Sequence, residues 1–152
     1  MITLAIDPGP TKSALVVWNG KKIFFADIDI NEEILKILSD PVGSLGDILI
    51  IEQIKSYGMA VSDSIFDTVF WTGRFIQAWK GNWHRVPRRE VKIHLCGSMR
   101  AKDSNIRQAL IDRFGAPGTK KAPGLTYGIS KDLWQAFALA VYWMDIGEFS
   151  VP

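Results

Sequence analysis

Apolar positions open the chain in two runs, residues 2–6 and 14–18, separated by Asp7-Pro8-Gly9-Pro10-Thr11-Lys12-Ser13. That pattern predicts two strands of a hairpin, with Asp7 at the end of the first. Asn19-Gly20 is a strong turn signal, and residues 22–30, with Ile23, Phe24, Phe25 and alternating Asp27 and Asp29, predict a third antiparallel strand. Asn31 is placed to cap a short helix whose apolar side is Ile34, Leu35 and Leu38, and which Asp40-Pro41 and Gly43 end. Residues 47–51 are too short for an amphipathic helix, continuously apolar after Asp47 and β-branched, so they predict a strand covered on both faces.

Downstream, residues 53–60 read as a polar and aromatic loop. Ser62 or Asp63 caps a helix in which Phe66, Val69, Phe70, Gly73, Ile76 and Trp79 recur at helical spacing. Residues 83–86 predict a short strand, interrupted by Pro87 before residues 88–95 resume a helical pattern. An Asp103 or Ser104 cap begins a helix carrying Ile106, Leu110 and Phe114 until Gly115 stops it. Residues 115–128 are a Gly, Pro and Lys loop, and residues 130–144 a last helix, apolar nearly all round and Ala-rich enough to approach a sheet closely.

Two of these elements deliver a carboxylate at a strand end: Asp7 after the first strand and Glu52 after residues 47–51. Ionised acids are rarely placed there for stability unless they are paired or bind a metal. If the two strands are parallel neighbours, both carboxylates emerge at one sheet edge. The alternative for Asp7 alone is an Asp-Pro-Gly turn acceptor. Asp132 is a third acid, predicted on the buried side of the last helix, on one stripe with Gln135, Ala136, Leu139, Ala140 and Trp143. Its plainer role is to favour the helix dipole.

The 152 residues, 47% apolar, are the size of one domain, expected to span residues 1–152. No apolar run is long enough for a membrane span, so a soluble cytoplasmic protein without a membrane partner is expected. Cys96 is the only cysteine, and His84 and His94 form no metal motif, which excludes an internal disulfide and a structural zinc site. Net charge is only +2, but residues 85–121 hold ten Lys/Arg against three acids while both flanks are net acidic. A basic segment beside a carboxylate cluster suits a phosphate-backbone binder.

An acid after strand one, an acid after a later buried strand and an acid opening the C-terminal helix occur in that order. With Leu4-Ala5-Ile6-Asp7-Pro8-Gly9, Ile50-Ile51-Glu52, residues 86–92 and 97–102, and Asp132-Leu133-Trp134-Gln135-Ala136, the chain resembles the RuvC-like Holliday-junction resolvases of the ribonuclease H-like superfamily, most closely a phage-encoded branch. The resemblance implies an α/β ribonuclease H-like fold: a mixed five-stranded sheet, three antiparallel strands then two parallel, flanked by helices. It implies a nuclease that cleaves branched DNA with two magnesium ions, for which manganese may substitute. Asp7, Glu52 and Asp132 would be metal ligands. The family pattern ends in a second acid or a histidine-acid pair, where this chain has Gln135, able to offer a neutral oxygen. Arg85, Arg88, Arg89, Lys92, Arg100, Lys102 and Arg107 would contact DNA phosphates, and Tyr57 and Met59 would probe the branch point, Tyr57 by stacking on an unpaired base.

Two other classes stay open: a nucleic-acid binder of the same fold without nuclease activity, which Gln135 favours, and an actin-like ATPase or kinase-type domain, which also begins with an Asp-x-Gly hairpin but needs a second glycine-rich loop and a longer chain. A four-way junction cut at matched positions suits a homodimer. The helix after Ser62, with Phe66, Phe70, Trp71, Phe75 and Trp79 on more than one face, is the candidate contact, Trp71 and Phe75 foremost with Arg74 adding a polar contact; the alternative is that other elements of its own chain bury it.

Overall fold

A computed structural model describes residues 1–40 and 45–149. Strands β1 (Thr3–Asp7), β2 (Lys12–Trp18) and β3 (Ile23–Ile30) form an antiparallel meander. Helix α1 (Asn31–Ser39) leads to β4 (Ile48–Gln53), and α2 (Asp63–Ala78) leads to β5 (Asn82–Pro87). The strand order is β3-β2-β1-β4-β5, with β4 parallel to β1 and β5 parallel to β4. Helices α3 (Arg88–Cys96), α4 (Asp103–Phe114) and α5 (Leu133–Phe149) follow. This is the mixed five-stranded α/β architecture that the resemblance implies. Pro41 and Gly43, the predicted stop of α1, lie outside the described residues.

The continuous apolar sequences of the central strands follow from cover on both faces. Leu4, Ile6, Leu15, Leu49 and Ile51 pack with Ile34 and Leu38 of α1 and with Trp71 and Phe75 of α2. Ala5, Val16, Ile50 and Val86 point the other way, into a cluster with Ala136, Phe137 and Ala140 of α5. Side chains alternate along a strand, so Asp7 and Glu52, two residues beyond Ala5 and Ile50, belong to the α5 face. Ile6 pairs with Ile51 across the parallel ladder, which puts the two acids on the next rung. Ala136 and Ala140 are fully buried and carry no bulk to hold α5 off the sheet.

Four local expectations change. Asn31 is the first residue of α1, not its cap: the N-cap is Ile30, with no side-chain cap bond. Lys102 is the N-cap of α4, where Asn105 Oδ1 accepts from the Lys102 N–H at 2.8 Å, and Asp103 pairs with Arg88 at 3.1 Å. Asp132 lies in the turn before α5 and is exposed rather than buried.

The fourth change is in α2, whose buried stripe is Thr68, Trp71, Thr72 and Phe75. The two threonines hide their hydroxyls by donating back along the helix, Thr68 to Ser64 O and Thr72 to Thr68 O, both at 2.9 Å, so polar-looking positions take the inner side. Trp71 and Phe75 are core residues, not a dimer contact. Phe66, Val69 and Phe70 are instead 63%, 49% and 62% exposed.

Candidate active site

The turn after β1 is closed by side chains other than Asp7. Gly9 N–H donates to Ser13 Oγ at 3.1 Å, Ser13 Oγ donates to Asn31 Oδ1 at 2.6 Å, and Asn31 Nδ2 donates to the Gly9 carbonyl at 2.9 Å. Position 9 must be glycine, because a Cβ there would run into the Lys12 carbonyl oxygen. With the turn satisfied in this way, the Asp7 side chain is left to a small cavity that it lines together with Glu52. Burial first, then the neighbouring Glu52 carboxyl, holds the Asp7 pKa well above the ordinary carboxylate range; Arg88 pulls it down and Asp132 adds to the rise. A cation held between two carboxyls on adjacent strands would relieve the repulsion between them.

Gln135, Arg88, Val91 and Leu139 line the same small cavity as Asp7 and Glu52. Gln135 reaches it from the first turn of α5, 8% exposed. Asp132 provides the carbonyl that accepts from the Gln135 and Ala136 N–H groups, at 3.0 and 3.2 Å, and its carboxylate stays on the rim. Among the described residues no three His, Cys, Asp or Glu side chains gather into a group able to hold a metal ion. The inner donors are two carboxylates and one amide oxygen, with a third carboxylate at the rim.

A recess opens on each side of this cavity. One, of about 500 Å³, shares Glu52 and Arg88 with it and is lined further by Lys55, Tyr57, Met59, Arg89, Lys92 and Met99. The other, of about 440 Å³, shares Gln135 and is lined by Asp103, Ser104, Arg107, Lys131, Asp132 and Trp134 among others. Tyr57 and Met59 are 54% and 71% exposed on a tight turn in which Tyr57 and Gly58 both have positive φ, 48° and 79°. Arg107 also lies over the Trp134 ring, 5.6 Å from its centroid.

The predicted phosphate contacts therefore divide. Arg88, Arg89, Lys92 and Arg107 line the cavity or its recesses, whereas Arg100 and Lys102 are exposed in the segment leading into α4. Arg85 pairs in register with Ile51 on edge strand β5 and so falls on the opposite sheet face from Glu52.

Sequence reasoning missed Ser13 and Asn31, whose only signal is that both are polar beside the Asp-Pro-Gly turn. Lys55, Met99 and Lys131 were missed as lining residues because loops bring them in. Also missed was the tie among the three helices behind the site. Asp145 of α5 accepts two bonds from Arg113 of α4, at 2.6 and 2.7 Å, and is 2.7 Å from His94 Nε2 of α3. Tyr142 donates to Glu90 of α3 at 2.7 Å; burial first, then Glu90, pushes its hydroxyl pKa up to about 12.

No protein-family model and no curated protein matches the chain. Among solved structures, Thermus thermophilus RuvC superposes with a TM-score of 0.67 at 17% identity over 97% of each chain. T. thermophilus RuvC in complex with a Holliday junction substrate gives 0.69 at 17% identity, over 97% of this chain and 96% of that one. The fold is RuvC-like. The likeness covers 97% of the chain and gives no support to a phage origin. No helix among the described residues is long and apolar enough to cross a membrane.

Proposed function

We propose that the protein is a structure-selective endonuclease that hydrolyses phosphodiester bonds in branched DNA, Holliday junctions included, as a magnesium-dependent enzyme. The observation that carries this reading is the Asp7–Glu52 carboxyl pair, set on adjacent parallel strands between two recesses lined by cations. A DNA strand laid across one recess, the cavity and the other would meet Lys55, Arg89 and Lys92 on one side and Arg107 and Lys131 on the other. Phosphate contacts of that kind orient the strand without reading its sequence. Tyr57, at the tip of its turn, offers a ring on which a base unpaired at the branch can stack.

The donor set suits a hard divalent cation, since all its atoms are oxygens. Asp7 and Glu52 would hold magnesium or manganese, with Asp132 at the rim and the Gln135 amide oxygen as a neutral partner. Bound there, such an ion supplies an activated water and positive charge beside the phosphate. Exclusion of bulk solvent falls to Val91 and Leu139, which wall the cavity.

The second reading, a nucleic-acid binder of the same fold without nuclease activity, is favoured by Gln135 and by the exposure of Asp132, which leave two carboxylates inside. Labelled four-way junctions, forks and linear duplexes incubated with magnesium, manganese or a chelator separate the two. The nuclease reading expects metal-dependent cleavage of the branched substrates that Asp7→Asn abolishes with binding kept. Binding without cleavage in either metal supports the second reading.

Paired cuts across a two-fold junction call for two copies of this chain. Phe66, Val69 and Phe70 on the outer side of α2 are the surface we assign to an isologous homodimer.

A further inference from the structure

Arg88 differs from the other cations near the site. It is the first residue of α3, directly after Pro87 of β5, and it lines both the carboxylate cavity and the larger recess. In that cavity it shares the lining with Asp7 and Glu52. One end of its guanidinium is fixed, 3.1 Å from Asp103 on α4. Its Nε is shut off from solvent and has no hydrogen-bond partner among the described residues. A buried N–H without an acceptor is unsatisfied until a ligand supplies one.

A cation beside a carboxylate pair that is to hold metal opposes metal binding, so its presence needs a gain elsewhere. The cavity holds only about 10 Å³, room for one water, so a phosphodiester would lie at its mouth, and once the Arg88 side chain turns to meet it the phosphate supplies both missing elements: an acceptor for Nε and a negative charge beside the guanidinium. Arg89 and Lys92 line the recess but not the cavity, so their phosphates lie farther along the strand.

We propose that Arg88 is a catalytic residue that binds the phosphate being cleaved, distinct from the backbone-tracking role of Arg89 and Lys92. This rests on the nuclease reading for the identity of the phosphate, and the experiment separates the two. Methylphosphonates, which remove the charge of one phosphate, are scanned along the cut strand of a four-way junction. Binding to wild type, Arg88→Ala and Arg89→Ala is measured in a chelator, so that no cleavage enters. At one position Arg88→Ala should cost nothing further, while elsewhere it weakens binding about tenfold, the size of a charge-assisted hydrogen bond; Arg89→Ala should still weaken binding at that position. If wild type cuts, that position should be the cleaved bond, and Arg88→Ala at saturating protein should slow single-turnover cleavage about a hundredfold, with Arg88→Lys in between. Manganese affinity without DNA should rise several-fold in Arg88→Ala and stay unchanged in Arg89→Ala.

No coupled position, a coupled position away from the cut, or an unchanged cleavage rate overturns the proposal. So does unaltered manganese affinity in Arg88→Ala, or absence of DNA binding by the wild type. A coupled position in a wild type that never cuts overturns the nuclease reading and keeps the Arg88 contact.

Discussion

Asn31 offers a sharp test of how the turn beneath the site is held. Removing its side chain breaks two bonds, from Ser13 at 2.6 Å and to Gly9 O at 2.9 Å, and strands a hydroxyl and a carbonyl in a partly buried place. At roughly 1–2 kcal/mol for each group left behind, Asn31→Ala should cost about 3 kcal/mol. For a domain of this size that lowers Tm by about 6–12 °C. Asn31→Ser discriminates: a helix cap would survive it with a loss of only a few tenths of a kcal/mol, roughly, since serine caps as well as asparagine. A latch would not, because serine is too short to reach Ser13 and Gly9 together. Urea unfolding of Asn31→Ser, Asn31→Ala, Ser13→Ala and the double variant supplies the numbers. The bonds share one ring, so Ser13→Ala and Asn31→Ala should be non-additive by about 1 kcal/mol or more. If Asn31→Ser lies within about 0.5 kcal/mol of wild type, or the two alanine variants simply add, the latch is refuted.

Asp7 is protonated more readily in the folded protein than in the unfolded chain, so without divalent metal the wild type loses stability as pH rises from the unfolded carboxyl value near 4 through the raised folded one. Asp7→Asn should escape that loss and become the more stable protein toward neutral pH; a gap between their urea midpoints that does not change with pH would contradict it. Asp145 has the opposite sign: burial raises its pKa, but the bonds from Arg113 and His94 outweigh it and hold the carboxyl below its usual value. Its contribution is full above about pH 4 and lost as pH falls through the folded value, so Asp145→Asn should cost about 1–2 kcal/mol at pH 7, discounted for the exposure of Arg113, with the gap closing toward pH 2. Equal losses at both pH values in a thermal melt series would count against it. Phe66→Ser with Phe70→Ser should convert a micromolar dimer into a monomer in sedimentation equilibrium with no loss of Tm, whereas a wild type monomeric at every concentration, with and without junction DNA, removes the dimer.

The sheet was legible because its central strands are covered on both faces and read as short apolar runs, and because the acids at positions 7 and 52 follow those runs directly. Strand parity then carried both to one side. Asp132 was misplaced because helical periodicity was extended one turn too far: Lys131, with φ of 49°, breaks the helix just before Asp132. The aromatic face of α2 was turned around because threonines that bond to their own backbone look polar in sequence and behave as apolar in the core. Arg85 and Arg88 look equivalent in a basic segment, and only the pleat of β5 tells them apart. The ring of Gly9, Ser13 and Asn31 joins residues as much as 22 apart, which no local pattern reports.

The parallel pairing of β1 with β4 also bears on when the site comes into being. Asp7 and Glu52 meet only after the whole β2–β3–α1 excursion has folded back, and Gln135 arrives from the far end of the chain. Contacts of such long sequence separation form late, because the loops they close must first be ordered. During synthesis, a chain that has emerged only through α4 holds both carboxyls but leaves the α5 side of β1 and β4 bare, without Phe137 or the alanines that cover it. That exposed apolar surface is what a chaperone would engage, and the cavity has no wall until α5 docks. The helix that completes the hydrophobic core is the one that closes the carboxylate cavity, so a half-made chain has no finished site.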